Sequence, residues 1–279
     1  MTYQSIFRPN LFEDQTVLVT GGGTGIGRAI AIELASLGAH VILAARKEER
    51  LAATATDIAE SGGSVSYYTV NIRQDDSVET LFDQILENHG TLHAVVNNAG
   101  GQFMSPAENI SQKGWHAVIE TNLTGTFLMC RQAFNRVFAE QGGSIVNIVA
   151  EMWRGFPGMS HTGAARAGVV NLTKTLAVEW AYAGVRINAV APGTIDGHGL
   201  TQYPPEIKPF LDAARDDIPY KRLGTEQEIA AAVTFLLSPA AAYISGETIN
   251  VDGASSLWRK RWEIPTHERA PEPFTGEAE

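Results

Sequence analysis

The sequence predicts an α/β fold in which helices cover both faces of one parallel sheet of about seven strands, a doubly wound arrangement within a single domain. Short β-branched runs recur along the chain, and most are apolar at successive residues, which is typical of strands covered on both faces. Segments with the apolar spacing of helices separate these runs. The chain has 279 residues, 44% of them apolar and 19% charged, so it can bury one large core.

The predicted elements follow one another in a regular order. Strands are expected at 16–20, 40–45, 65–70, 93–97, 144–149, 186–190 and 247–251. A helix is predicted over 26–37, with apolar residues three or four positions apart and Gly38 as its stop signal. A second helix is predicted over 77–87, and a third, apolar around most of its circumference, over 163–182.

Two segments depart from this alternation. Residues 196–217 are punctuated by proline and glycine and are longer than an ordinary connection, so they are expected to form a functional loop. The last stretch, residues 258–279, is polar, charged and proline-rich, and is expected to be a surface extension. The domain is therefore predicted over 1–257 and the extension over 258–279.

Composition and charge exclude several classes of function. The chain carries 21 Lys and Arg against 31 Asp and Glu, a net charge of −10, which argues against nucleic acid and anionic membranes as partners. Its single cysteine, Cys130, cannot form an internal disulfide, which favours a reducing compartment. No apolar run reaches transmembrane length and the N-terminus lacks signal-peptide character, so a cytoplasmic enzyme acting on a small molecule is expected.

A glycine-rich loop, TGGGTGIG at 20–27, directly follows the first predicted strand and leads into the first helix. The spacing is a variant of the dinucleotide-binding fingerprint of Rossmann-like domains. The first glycine of the motif permits a tight turn. The middle glycine lets the backbone approach a pyrophosphate closely, and the last glycine lets the helix pack close to the sheet. The helix N-terminus adds free amides for phosphate. The predicted cofactor loop comprises Gly21, Gly23, Thr24, Gly25, Ile26 and Gly27.

The end of the second strand predicts NADP(H) rather than NAD(H). NAD enzymes usually carry Asp or Glu there, about 20 residues past the loop, whereas this chain has Ala45 followed by Arg46 and Lys47. No carboxylate would repel a 2′-phosphate, and the Arg46 guanidinium could bind one through paired hydrogen bonds. Thr24 could add a hydroxyl donor.

Four motifs resemble, in order, those of the short-chain dehydrogenase/reductase superfamily over residues 11–253: TGGGTGIG, NNAG (97–100), the Asn of TNLTG (Asn122) and APG (191–193). The resemblance implies a homo-oligomer, expected to be a homotetramer, in which the 163–182 helices pair between subunits. It also implies further cofactor contacts: Asn71 and Ile72 at the adenine, Asn98, Ala99 and Gly100 at its ribose, and Pro192, Gly193 and Ile195 at the nicotinamide.

A closer similarity lies with the branch that contains peroxisomal trans-2-enoyl-CoA reductase and with bacterial enzymes described as citronellol/citronellal dehydrogenases. The strings KGWHAV (113–118), TNLTGTF (121–127) and GAARAGV (163–169) resemble the first group, and MWRGFPGMSHTGAARAG (152–168) resembles the second. Because the two groups are similar to each other, an enoyl thioester and a terpenoid both stay open as substrates.

The catalytic positions depart from the superfamily pattern of Ser and Tyr-x-x-x-Lys. Aligning LTKTLA (172–177) with that pattern puts Thr162 at the Tyr position, Arg166 at the Lys position and Ala150 at the Ser position. Alcohol oxidation needs a base, and neither side chain serves, because threonine is too weak an acid and arginine stays protonated. Reduction of a double bond conjugated to a thioester needs donors for the charge on the thioester oxygen, which Thr162, Arg166 or water could supply.

These residues favour an NADP(H)-dependent reductase of enoyl-CoA thioesters over a citronellol-type dehydrogenase. A cofactor-binding protein without turnover is the remaining alternative. Arg166 is expected to bind the cofactor ribose as well, and His161 is a further candidate proton donor near pH 7. The resemblance gives Asn122 a backbone carbonyl that holds a proton-relay water, although without the Lys its role could be structural.

Two further expectations concern metals and coenzyme A. No metal site is expected, since His89 and His93 straddle a helix stop at Gly90. A local basic rim for coenzyme A could be formed by Arg154, Lys208, Lys221 and Arg222, whereas a terpenoid would need an apolar lining from Tyr203, Pro204, Pro205 and Phe210.

Overall fold

The computed structural model describes residues 3–202, 214–259, 262–265, 267 and 269–277. They fold around a seven-stranded parallel sheet and one short two-stranded sheet, β7 (Ile195–Asp196) with β8 (Gly224–Thr225). The large sheet confirms the predicted doubly wound fold. Its strands are β1 (Thr16–Thr20), β2 (His40–Ala45), β3 (Ser64–Thr69), β4 (Ala94–Asn97), β5 (Gly143–Ile148), β6 (Val185–Pro192) and β9 (Thr248–Val251).

The order of strands across the sheet is β3-β2-β1-β4-β5-β6-β9. The chain first adds strands on one side of β1 and then on the other, so the direction of winding reverses between β1 and β4. In open α/β sheets this reversal leaves a crevice beyond the carboxyl ends of the strands. The fold therefore places a binding site at the loop after β1.

Helices cover both faces of the large sheet. Val17 and Val19 of β1 point into one core and Leu18 points into the other, as the period of two in a strand requires. The helices are α1 (Gly25–Ser36), α2 (Glu48–Glu60), α3 (Asp75–His89), α4 (Gln112–Ile119), α5 (Gly125–Ala133), α6 (Ala139–Gln141), α7 (Ser160–Glu179) and α8 (Glu226–Leu237). The first core includes residues of α1, α2 and α8, and the second includes residues of α3, α5 and α7.

The ends of the first predicted helix are displaced by one residue, and those of the second and third by two or three. The helix predicted over 77–87 begins at Asp75. Two acidic residues in its first turn interact favourably with the positive end of the helix dipole and stabilise the earlier start. The helix predicted over 163–182 spans Ser160–Glu179, and a separate turn, Ala181–Ala183, leads to Gly184 with φ +73°. None of the helices in the described ranges is long and apolar enough to cross a membrane.

The predicted C-terminal extension contacts the domain at several points. The amide of Gln4 donates to the carbonyl oxygen of Gly276 at 2.8 Å, and Tyr3 forms an antiparallel bridge with Glu277. The hydroxyl of Tyr3 donates to the carboxylate of Glu33, which is fully buried in α1. The two ends of the described chain are thus anchored together on α1.

Candidate cofactor and active site

A cleft of about 990 Å³ opens at the carboxyl ends of the central strands. It is lined by loops that follow β1, β2, β4, β5 and β6, as expected at the point where the sheet reverses its winding. Every residue predicted to bind the cofactor lines this one cleft: Gly21, Gly23, Thr24, Gly25, Ile26, Gly27, Arg46, Asn71, Ile72, Asn98, Ala99, Gly100, Arg166, Pro192, Gly193 and Ile195.

The loop after β1 has the geometry that a pyrophosphate requires. Gly21 has φ +69°, a conformation that residues with a Cβ rarely adopt. A Cβ on Gly27 would collide with the carbonyl oxygen of Gly21 and the side-chain amide of Asn98. Thr24, the N-cap residue of α1, makes no side-chain cap hydrogen bond, so the first amides of α1 remain available to an anion. These residues fit a dinucleotide.

Thr20, which sequence reasoning missed, fixes the next loop. Its hydroxyl accepts hydrogen bonds from the amides of Asn98 and Ala99, both at 3.0 Å, and donates to the carbonyl oxygen of Val96. The side chain of Asn98 donates back to the carbonyl oxygen of Thr20 at 3.0 Å. The loops after β1 and β4 are therefore held as one unit beneath the cofactor site.

The adenine end of the cleft is cationic. Arg46 and Lys47 line it, and Arg50, one turn into α2, is a third cation that sequence reasoning did not identify. The acidic residues among the described lining are Glu151 and Glu226, and neither belongs to the β2–α2 connection. The described lining at the end of β2 therefore fits a phosphate on the adenine ribose.

Arg166 is a buried cation that lines the cleft. Its side chain is 8% exposed, and Nη1 donates to the carbonyl oxygen of Ile148 at 2.8 Å. Among the described residues no carboxylate lies within ion-pair distance of it. Burial lowers its pKa to about 10, which leaves the guanidinium charged at neutral pH.

Gly100 allows Arg166 to lie where it does. A Cβ on Gly100 would be 2.5 Å from Nη2 of Arg166 and 2.6 Å from Oδ1 of Asn122. The loop after β4 thus passes directly against the guanidinium. A glycine here is required by packing rather than by backbone conformation.

Asn122 is fully buried in a π-helical turn, Glu120–Thr124, between α4 and α5 and does not line the cleft. Its side chain accepts from the amide of Gly101 at 3.1 Å and donates to the carbonyl oxygen of the same residue at 2.7 Å. Its own carbonyl oxygen accepts from the hydroxyl of Thr126. Through these hydrogen bonds Asn122 fixes the position of the Gly101 loop. The expected role of its backbone carbonyl in holding a relay water stays a prediction.

Thr162 and His161 are fully buried and do not line the cleft. Nδ1 of His161 accepts from the amide of Thr162 at 2.8 Å, so the proton of the neutral ring belongs on Nε2, which has no hydrogen-bond partner among the described residues. The ring of Phe103, which does line the cleft, packs edge-on against His161 at a centroid distance of 4.4 Å. Burial lowers the pKa of His161, so the neutral ring is favoured at pH 7. The catalytic roles of both residues stay predictions.

The part of the described lining where the substrate is expected is largely apolar: Phe103, Met104, Val149, Ala150, Phe156, Met159 and Leu200. Three residues of the expected basic rim are absent from this lining and contact other groups, so the rim stays a prediction. Arg154 donates to the carbonyl oxygens of Ser255 and Trp258, Lys221 donates to that of Asp216, and Arg222 pairs with Glu228. Lys208, Tyr203, Pro204, Pro205 and Phe210 lie outside the described residues.

Other titratable candidates are explained by packing. Cys130 is buried, and burial raises its pKa to about 12, so the thiol is inert at neutral pH. His93 accepts from the amide of Thr16, whereas His89 contacts Tyr68. Within the described ranges, no group of three or more His, Cys, Asp or Glu residues could hold a metal ion.

Comparisons with known proteins agree with this geometry. The family described as "Enoyl-(Acyl carrier protein) reductase" matches residues 21–255. A probable 2,4-dienoyl-CoA reductase of Bacillus subtilis is 40% identical over 249 residues, 88% of this chain and 98% of the relative. A peroxisomal 2,4-dienoyl-CoA reductase of Danio rerio is 35% identical over 257 residues, 91% of this chain and 86% of the relative.

A solved structure, the citronellol catabolism dehydrogenase of Pseudomonas aeruginosa PAO1, is 54% identical to this chain. It superposes with a TM-score of 0.83, and the match covers 91% of this chain and all of the other. The extent of these matches, with the strand order and the glycine loop, shows the family. The chain is an oxidoreductase of the short-chain dehydrogenase/reductase superfamily, whose members use a nicotinamide cofactor.

Proposed function

We propose that this chain is an NADP(H)-dependent reductase of the conjugated double bond of enoyl-CoA thioesters. The observation that carries the proposal is Arg166, a buried guanidinium that lines the cleft without a carboxylate partner among the described residues. A charge in this setting is costly to bury unless an anion forms beside it. A thioester oxygen that becomes negative during reduction would be such an anion.

The chemistry divides between the cofactor and the chain. A bound nicotinamide would supply hydride to the β carbon of the substrate. Arg166 would stabilise the charge that develops on the thioester oxygen, an effect that preorganised donors in a dry site make large. Gly100 and Asn122 would hold the loop against Arg166, and the apolar side chains of Phe103 and Phe156 would exclude water. The proton at the α carbon would come from water or a residue beside it.

The described lining contains no tyrosine, which supports double-bond reduction over alcohol oxidation. The decisive experiment has two arms. The first measures NADPH consumption with crotonyl-CoA, a longer enoyl-CoA and a 2,4-dienoyl-CoA as substrates. The second measures NADP⁺ reduction with citronellol as substrate. Enoyl-thioester reduction without alcohol oxidation is expected. Efficient alcohol oxidation without thioester reduction would reject the proposal.

A citronellol-type dehydrogenase is the second candidate, supported by the 54% identity to the Pseudomonas enzyme and by a carboxylate in the cleft. Glu151 lines the cleft next to Ala150 and accepts a hydrogen bond from the hydroxyl of Ser255 at 2.7 Å. It would be the base for alcohol oxidation. Glu151→Gln should then abolish alcohol oxidation, whereas thioester reduction would lose little.

The choice of cofactor gives a direct prediction. We expect NADPH to bind at least about tenfold more tightly than NADH, or about 1.4 kcal/mol, because Arg46, Lys47 and Arg50 line the adenine end. Arg46→Ala should remove most of this preference and leave NADH affinity unchanged. Fluorescence titration with both cofactors measures this preference, with Arg136→Ala as control, because Arg136 does not line the cleft and pairs with Glu79 of α3. Equal affinities in the unmodified protein would contradict the prediction.

We also propose that the chain forms a homotetramer and that it acts in the cytoplasm. The C-terminal end of α7 and the turn after it expose Val178 and Tyr182, which are 79% and 82% exposed and would be covered if these ends pair between subunits. We expect light scattering at micromolar concentration to give a tetramer and Val178→Glu to give smaller species. Ile6→Glu, also at an exposed apolar residue, is the control. A monomeric unmodified protein would refute the prediction.

A further inference from the structure

The C-terminal extension contacts two segments that form walls of the cleft. The extension begins at Trp258, and Ser255 lies three residues before it. The carbonyl oxygen of Trp258 accepts from Arg154, as does that of Ser255, whose hydroxyl donates to Glu151. Glu151 lines the cleft, and Arg154 lies between it and Phe156, which lines the cleft as well. The first wall, residues 151–156, is therefore tied to the extension.

Further along, the extension contacts the segment that leads into α8. The ring of Trp258 lies 5.4 Å from Nζ of Lys221, and Nε2 of His267 is 3.1 Å from the carbonyl oxygen of Pro219. Nε of Arg222 donates to the carbonyl oxygen of Pro271 at 3.0 Å. The hydroxyl of Thr225 donates to the carbonyl oxygen of Phe274 at 2.6 Å.

This second segment in turn holds residues of the cleft. Gly224 and Thr225 of β8 pair with Ile195 and Asp196 of β7, and Ile195 lines the cleft. Oε1 of Glu226 accepts from the amide of His198 at 3.0 Å, and both residues line the cleft. The second wall, residues 195–200 with 224–226, is thus connected to the extension through single side chains and carbonyl oxygens.

We propose that the C-terminal extension is a positioning element for the substrate: it fixes the 151–156 wall and the 195–200 wall relative to each other. The glycine loop and Arg46, which would hold the phosphates of the cofactor, make none of these contacts, and Ile195 is the one predicted cofactor contact within the two walls. Loss of the extension's contacts should therefore weaken substrate binding much more than cofactor binding. The inference does not depend on whether the substrate is an enoyl thioester or an alcohol.

The test uses the full chain with the double substitution Trp258→Ala/His267→Ala, two side chains of the extension that do not line the cleft. The matched control is Trp262→Ala, whose ring is 77% exposed and whose carbonyl oxygen, not its ring, accepts from Trp258. In the double variant we expect faster amide hydrogen exchange over residues 218–226. We also expect KM for the substrate to rise about five- to tenfold, since small misplacements far from the chemistry carry large costs. The NADPH dissociation constant should stay within about twofold of the unmodified value, and the control should change neither quantity.

Unchanged hydrogen exchange at 218–226 would overturn the inference, as would faster exchange with an unchanged KM. Parallel losses of NADPH affinity and of substrate affinity would also overturn it, because they indicate a general loss of structure. KM is measured with whichever substrate the unmodified protein turns over, and the exchange experiment needs none. Failure of the proposed thioester reduction is therefore distinguishable from failure of the positioning role.

Discussion

Replacing Arg166 by alanine should lower kcat/KM for thioester reduction about 30- to 1,000-fold, which corresponds to about 2–4 kcal/mol of transition-state stabilisation. Arg166 is 8% exposed, lines the cleft and donates a hydrogen bond to the backbone carbonyl oxygen of Ile148. An alanine leaves no positive charge opposite the thioester oxygen. Steady-state kinetics at saturating NADPH separates a loss in kcat from a rise in KM for the thioester.

Matched variants identify the source of the loss. Arg166→Lys keeps a positive charge and should recover part of the rate, although one ammonium cannot replace a planar group with five donors. Thr162→Val removes a buried hydroxyl that does not line the cleft and should have a much smaller effect. Because the pKa of Arg166 is lowered only to about 10, the rate should show no titration of this group between about pH 6 and 9. It should fall as the pH rises through 10, when the charge is lost.

A loss of less than about threefold for Arg166→Ala would contradict the proposed function. So would a loss explained wholly by weaker NADPH binding, which fluorescence titration measures independently. In the second case Arg166 would serve the cofactor ribose alone, and the charge on the substrate would need another partner.

The fold and the cofactor loop could be predicted from sequence because their signals are local. Apolar runs of five or six residues mark buried strands such as Thr16–Thr20, and Gly90, with φ +73°, marks the end of α3. Gly21 to Gly27 form a compact motif whose spacing alone carries the geometry. Motif residues from distant parts of the chain meet in one cleft because parallel strands end at the same edge.

The parts that sequence reasoning missed depend on contacts between distant segments. Hydrogen bonds between Asn122 and Gly101, and between the Thr20 hydroxyl and the amide of Ala99, join loops that no local sequence pattern connects. For the same reason, only the folded chain shows that Arg154, expected in a basic rim, donates to the carbonyl oxygens of Ser255, just before the C-terminal extension, and of Trp258 within it. Composition predicted that extension as a polar surface segment, and the contacts of its backbone carbonyls are not encoded in its polarity.

Gly27→Ala should weaken NADPH binding about 10- to 100-fold and lower the free energy of unfolding by about 1–3 kcal/mol. A Cβ at this position would collide with the carbonyl oxygen of Gly21 and the side-chain amide of Asn98. Backbone cannot move aside as a flexible side chain can, so the N-terminus of α1 must shift away from the loop. The amides that would bind the pyrophosphate shift with it.

Gly62→Ala is the matched control, because the same methyl group meets no atom within 4 Å there and acts only through the positive φ of +83°. It should cost about 1–2 kcal/mol of unfolding free energy and leave NADPH affinity unchanged. Urea unfolding without cofactor and fluorescence titration with NADPH measure the two quantities separately. If Gly27→Ala bound NADPH as tightly as the unmodified protein, or if Gly62→Ala lost affinity to the same extent, close packing at Gly27 would not be what forms the cofactor site.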